Sequence, residues 1–161
     1  RNYIAVVGPK RPDLYEMAGY YGEKLVIRCI QHGLNTCWVG GTYKKVKEAI
    51  VVRADEKIVA VIAVGYGKTM GSARKSKTAG EVFDAKASKV AGFEETPDWF
   101  KDGVEMALMA PTAFNRQRFS FALSGDRIKV KSGMGPMSKV DLGIVKYHFE
   151  IGASPKEFVW A

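Results

Sequence analysis

Cysteine and histidine are scarce in this chain, with two of each in 161 residues. Cys29 and Cys37 provide no disulfide framework and fit a reducing cytosol. Together with His32 they loosely suggest a metal site, but a closed zinc site takes four ligands, and His148 lies far away in sequence. Thiols are readily buried without any ligand role, so a metal is not expected. Also missing is any window approaching the roughly 18 uninterrupted apolar residues that would cross a bilayer. No secretory signal is visible either. These absences predict a cytoplasmic protein with no membrane partner. No grouping of histidines and carboxylates stands out as a general acid–base site.

The composition that remains is ordinary for a globular protein, with 47% hydrophobic and 26% charged residues. The length predicts one domain over residues 1–161, long enough to bury a core. The chain starts at Arg1 inside an apolar run and without an initiator Met, which predicts a further N-terminal portion. A net charge of +8 favours anionic partners, either nucleic acid or a phosphate-bearing cofactor. The basic clusters, Lys44 to Lys47 and Arg74 to Lys77, are not interleaved with aromatics as a single-strand surface requires. Nucleic acid is therefore not the expected partner.

Hydrophobic spacing predicts the elements in order. Tyr3 to Val7 reads as a strand ending at Gly8-Pro9. Asp13 is placed to cap a helix over Leu14 to Gln31, with Tyr20, Leu25, Val26, Cys29 and Ile30 facing inward and Gly33 just past its end. Gly19 and Gly22 weaken that helix and suit close packing against another backbone. Asn35 to Val39 is a short strand, and Lys44 to Ile50 a short helix. Lys57 to Val64 (K-I-V-A-V-I-A-V) has the pattern of a central strand buried on both faces. Thr96 and Pro97 form a helix start, as N-cap and first residue of a helix reaching Met109. Phe119 to Leu123 and Arg127 to Val130 flank Ser124-Gly125-Asp126 as a hairpin. Ser138 is placed to cap Lys139 to Ile151, where His148 lies on the apolar face as a core residue, and Pro155 to Trp160 is a last strand. A helix ending in Gly33 before a strand reaching Trp38 is echoed by a helix ending near Gly152 before a strand reaching Trp160. The elements predict an α+β fold, a mixed sheet packed against helices.

Three stretches carry chemistry. Ala110 to Phe121 (A-P-T-A-F-N-R-Q-R-F-S-F) presents Thr112, Asn115 and Gln117 between a helix and a strand. Two amides with paired donors and acceptors suit the edge of a flat heterocycle; the alternative is a polar loop in which Asn115 merely caps a helix or a turn. Gly40 and Gly41, at a strand end after Trp38, allow close backbone approach by a ligand or simply a tight turn. Arg74, Lys75 and Lys77 follow the central strand, where they could hold a phosphate or form a solvated surface loop.

Taken together these stretches resemble the nitroreductase-like flavoproteins. A-P-T-A-F-N-R-Q-R-F resembles the family's FMN loop, H-G-L-N-T-C-W-V-G-G its glycine turn beneath the flavin, and V-I-A-V-G-Y-G followed by R-K-S-K its segment near the FMN phosphate. D-L-G-I-V-K-Y-H-F-E-I-G, from Asp141, resembles a helix of a variant subgroup in which the N-R-Q loop lies in the C-terminal half. Arg118 and Phe119 stand where Pro and Trp are usual, and the family's N-terminal Arg/Ser motif is absent. The resemblance implies a homodimer binding FMN at its interface and taking electrons from NADH or NADPH for a nitro or quinone acceptor. It implies that Thr112, Asn115 and Gln117 meet the flavin, that Trp38, Gly40 and Gly41 line it, and that Arg74, Lys75 and Lys77 meet the phosphate. Two other readings stay open: a flavin-binding or flavin-consuming protein without nitroreductase turnover, and a basic nucleic-acid module.

Overall fold

Residues 2–43, 49–69 and 71–161 are described by the structure, a computed structural model. The elements run β1 (Asn2–Pro9), α1 (Leu14–Gln31), β2 (Asn35–Val39), β3 (Glu56–Gly65), α2 (Ala79–Val82), α3 (Asp98–Leu108), β4 (Phe119–Ser124), β5 (Arg127–Ser132), α4 (Ser138–Ala153) and β6 (Val159–Trp160). The expected helix over Lys44 to Ile50 falls mostly on residues 44–48, outside the described ones.

The fold is α+β as expected, but its strands form two separate three-stranded sheets rather than one. In the first, β3 pairs antiparallel with β1 on one side and β2 on the other, and Val59 to Ile62 are buried. Its near-continuous apolar run marked it correctly as central. In the second, β5 pairs antiparallel with β4 and parallel with β6. Gly125, at φ 61°, supplies the left-handed turn of the β4–β5 hairpin.

Helix α1 ends as its glycine predicts. Gly33 adopts φ 73°, its N–H bonds Ile30 O, and the Leu34 N–H bonds Cys29 O, so carbonyls of the last turn are satisfied. Three other end signals are corrected. Thr96 does not cap α3: its hydroxyl bonds Phe93 O, and Pro97 is itself the extended flanking residue. Ser138 is the first residue of α4, and the cap position belongs to Met137, in a left-handed conformation at φ 64°. Asp13 does sit at the start of α1, but its carboxylate pairs with Arg11 rather than with the helix.

The buried face of α1 is the expected one at Val26, which is buried, and in part at Tyr20 and Cys29, which are half-buried. Leu25 and Ile30 are exposed, and the inward positions are Leu14, Ala18, Gly19, Gly22, Glu23 and Val26. Small residues dominate because α1 crosses α4 almost backbone to backbone. A Cβ on Gly19 would strike Val140 O, and one on Gly143 would strike Glu16 O. Val140 precedes Gly143 as Glu16 precedes Gly19, by three residues in each helix, so the crossing is locally two-fold. The echo in sequence lies outside this symmetry: Trp38 donates its indole N–H to Glu23, four residues after Gly19, and Trp160 donates its own to Glu150, seven residues after Gly143. On the other face of α4, Phe149 packs with Phe100 and Phe121 in the main core.

Candidate active site

A cavity of about 660 Å³ opens where the C-terminal half of α1, strand β2, the end of α3, the segment 109–114 and α4 meet. That volume lies within the range usual for small-molecule and cofactor sites. The walls are largely apolar, with Val26, Ile27 and Ile30 from α1, Met106 and Met109 from the end of α3, and Val140 and Ile144 from α4. Trp38, Gly40 and Thr112, three of the expected site residues, line it. Trp38 is held there by its hydrogen bond to Glu23 and by Gly22, whose missing side chain makes room for the indole. Gly40 faces Met137, and a Cβ there would come 3.3 Å from the methionine side chain. Gly41 is not part of the cavity lining; it is exposed, with open space around its Cα.

The remaining expected residues gather in a polar knot behind the segment 109–118, not in the cavity wall. Gln117 is 2% exposed, and its amide turns inward. Its Oε1 accepts from the Lys77 backbone N–H at 2.8 Å and from the Ser76 hydroxyl at 3.4 Å. Its Nε2 donates to Leu108 O at 2.8 Å and to the Ser76 hydroxyl oxygen at 3.0 Å. The side chain's hydrogen-bonding capacity is thus used within the protein. Asn115 accepts from Arg74 at 3.2 Å and donates to Lys75 O at 2.8 Å. Lys77 Nζ donates to Gln117 O. The two amides therefore stitch the basic segment after β3 to the segment 109–118. Arg74 and Ser76 also line a shallower cleft that shares Met109 and Pro111 with the main cavity.

The backbone of this segment is under strain. Phe114, Asn115 and Gln117 all have positive φ, at 55°, 52° and 44°. Asn tolerates that region, but Phe and Gln carry a cost that surrounding contacts must offset. Those contacts are the Gln117 amide network and the Gln117 N–H donated to Thr112 Oγ1 at 3.0 Å. Arg118 adds a tie of its own, donating to Met134 O at 2.7 Å, and Gly133 N–H returns a bond to Arg118 O. The residue that departs from the usual loop pattern thus couples the segment 109–118 to the turn that presents Met137 at the cavity.

Sequence reasoning missed the ionisable groups of the cavity. Glu23, 1% exposed, accepts from the Trp38 indole on one oxygen and meets His148 Nε2 at 2.8 Å on the other. His148 is buried, as expected of a core residue, but it also lines the cavity, and its Nδ1 is buried without a partner among the described residues. Asp141, in the first turn of α4, accepts the Ala113 N–H at 3.0 Å. Burial pushes its carboxyl up to about 6, only partly opposed by that hydrogen bond. The available signal was a carboxylate among the small and apolar residues of α1, at Glu23, where a solvated charge has no place.

Comparison with protein-family models matches residues 1–153 to the family described as "Putative TM nitroreductase". No curated protein matches the chain. Among solved structures it is similar to one described as a putative nitroreductase from Thermotoga maritima, with 27% identity and a TM-score of 0.69. The similarity covers 91% of this chain but only 58% of that one, so the chain spans little more than half the length of its structural relative.

Proposed function

The chain belongs to the nitroreductase family whose model matches residues 1–153, and from that premise we propose that it is an FMN-dependent NAD(P)H oxidoreductase. When bound, the flavin would accept a hydride from the nicotinamide and pass two electrons to a nitro or quinone acceptor. The observation that carries the reading is the cavity itself. It is largely apolar, large enough for a fused heterocycle, and bounded by Trp38, Gly40 and Thr112, three of the six residues that the resemblance places against the flavin.

In this reading the protein binds, orients and excludes water. Trp38 and the methionines supply apolar wall, and Gly40 and Gly41 let the backbone approach the ring without an intervening Cβ. Asn115 and Gln117 act by fixing the segment 109–118 rather than by reading the ring in this conformation. Arg74, Lys75 and Lys77 take the phosphate side. Support for that is the cleft lined by Arg74, which adjoins the cavity across Met109 and Pro111. The mouth is rimmed by exposed Ile30, Met109 and Phe114, an apolar border suited to a second copy of the chain.

Purification with added FMN tests the reading. We expect a yellow protein whose bound flavin is bleached by NADH or NADPH without oxygen and recoloured by a nitroaromatic or a quinone. Replacing Lys75 and Lys77 with Ala should weaken FMN more than riboflavin. A protein that stays colourless after reconstitution overturns the proposal, and one whose flavin ignores both nicotinamides reduces it to flavin binding.

A further inference from the structure

Helix α4 lays Val140, Asp141, Ile144 and His148 along one wall of the cavity. Asp141 and His148 are seven residues apart, about 10 Å along the helix axis. The wall is therefore polar at both ends and apolar between, at a length suited to a fused three-ring heterocycle. The two ends are not equivalent. At the far end both Glu23 oxygens are engaged, one by the Trp38 indole and one by His148, each at 2.8 Å. That leaves His148 Nδ1 as the buried atom without a partner among the described residues, an uncharged ring nitrogen or N–H in place of a carboxylate oxygen. At the near end Asp141 spends one oxygen on the Ala113 N–H, and its other oxygen has no partner among the described residues.

The isoalloxazine ring is asymmetric in the same sense. Its pyrimidine end carries one imide N–H between two carbonyls, and its dimethylbenzene end is apolar. We propose that Asp141 is the hydrogen-bond acceptor for the imide N–H of the flavin, which sets the ring with its pyrimidine end at the start of α4 and its dimethylbenzene end toward Trp38, Val26 and Ile27. The inference rests on the flavin reading above and adds the ring's direction and the residue that fixes it. A carboxylate drawn partly out of water makes a stronger bond to an N–H than a solvated one does. Burial that costs Asp141 stability in the empty cavity thus favours a ligand that supplies a donor.

The test compares lumiflavin with 3-methyllumiflavin, in which a methyl group replaces that N–H hydrogen. Both are titrated into the flavin-free protein and followed by quenching of flavin fluorescence. Wild type should bind lumiflavin at least roughly tenfold more tightly, the effect of losing a hydrogen bond to a charged group. Asp141→Ala should bring the two ligands within about twofold of each other. Equal binding of the two rings by wild type overturns the role of Asp141 and leaves the flavin reading intact. If neither ring binds, the flavin reading fails and takes this inference with it. Where Asp141→Ala folds poorly, Asp141→Asn, a neutral and weaker acceptor of the same shape, should narrow the gap in its place, since the bulk of the methyl group is the same for both proteins.

Discussion

Gly19 and Gly143 lie at the crossing of α1 and α4, each with the other helix's backbone where its own side chain would be. A Cβ on Gly143 would meet Tyr20 N at 2.6 Å, and one on Gly19 would meet the Val140 carbonyl carbon at 2.9 Å. Backbone cannot swing aside as a flexible side chain can, so the helices would have to separate. Gly143→Ala is expected to cost about 3 kcal/mol or more, at or beyond the upper end for overpacked cores, because two helices must shift together. Gly80, with open space around its Cα, is the control, and Gly80→Ala should change stability by less than about 1 kcal/mol. Urea denaturation of both variants checks this, and equal midpoints would mean that the crossing is looser than described.

Gln117 makes a second stability prediction. In Gln117→Ala the part-buried Lys77 N–H loses its partner, and the Leu108 carbonyl keeps only its bond from Arg74 at 3.2 Å. An unsatisfied buried group costs about 1–3 kcal/mol, and the variant should lose about that much. Asn115 is exposed and sits at a φ that glycine adopts freely, so Asn115→Gly should lose less than about 1 kcal/mol. Thermal melts of the two variants would show the contrast, and the reverse order would undo the assignment of Gln117 as the tie.

Asp141 makes the stability depend on pH with a definite sign. Its folded carboxyl titrates near 6, above the unfolded value, because burial disfavours its charge. The stability gained by protonating it is fully present below the unfolded value and is lost as pH rises through about 6. Asp141→Asn cannot ionise and can still accept from Ala113. The variant should therefore gain on wild type between pH 4 and pH 7.5, by on the order of 1 kcal/mol after allowance for solvent screening. Denaturation midpoints at the two pH values measure it. A difference that is flat with pH would place Asp141 in water.

Much of this architecture was legible because it depends on local chemistry. The apolar run of β3, the left-handed Gly33 and the Gly125 turn each follow from what a few adjacent residues can do. The side-chain roles were not legible, because they depend on direction. An amide at Gln117 reads the same in sequence whether it faces a ring or turns inward onto Leu108. Leu25 and Ile30 keep the helical period but stay exposed, since the close approach at Gly19 and Gly22 decides which face of α1 is buried. Two sheets replaced the expected one because strand pairing is a long-range choice that no short window contains. Glu23 and Asp141 went unassigned as site residues because which faces of α1 and α4 meet at the cavity is set by the helix crossing, not by their neighbours in sequence.

Gly22 links the helix crossing to the cavity and makes the last prediction. A Cβ there would overlap the Trp38 ring, reaching Cζ2 at 2.9 Å. The indole cannot shrink, and its N–H is anchored on Glu23 from the same helix. In Gly22→Ala the ring must therefore move away from α1 and toward the cavity it lines, or break its bond to Glu23. Overpacking of this kind costs about 1–3 kcal/mol, which the fold should survive. The larger effect should appear in the site, where a displaced indole takes space from a flat ligand. If FMN occupies this cavity, its affinity should drop by roughly tenfold or more, the equivalent of about 1.4 kcal/mol. Measuring FMN affinity beside denaturation separates the two effects. A variant that loses stability yet keeps full affinity would show that Trp38 is not part of the wall the flavin meets.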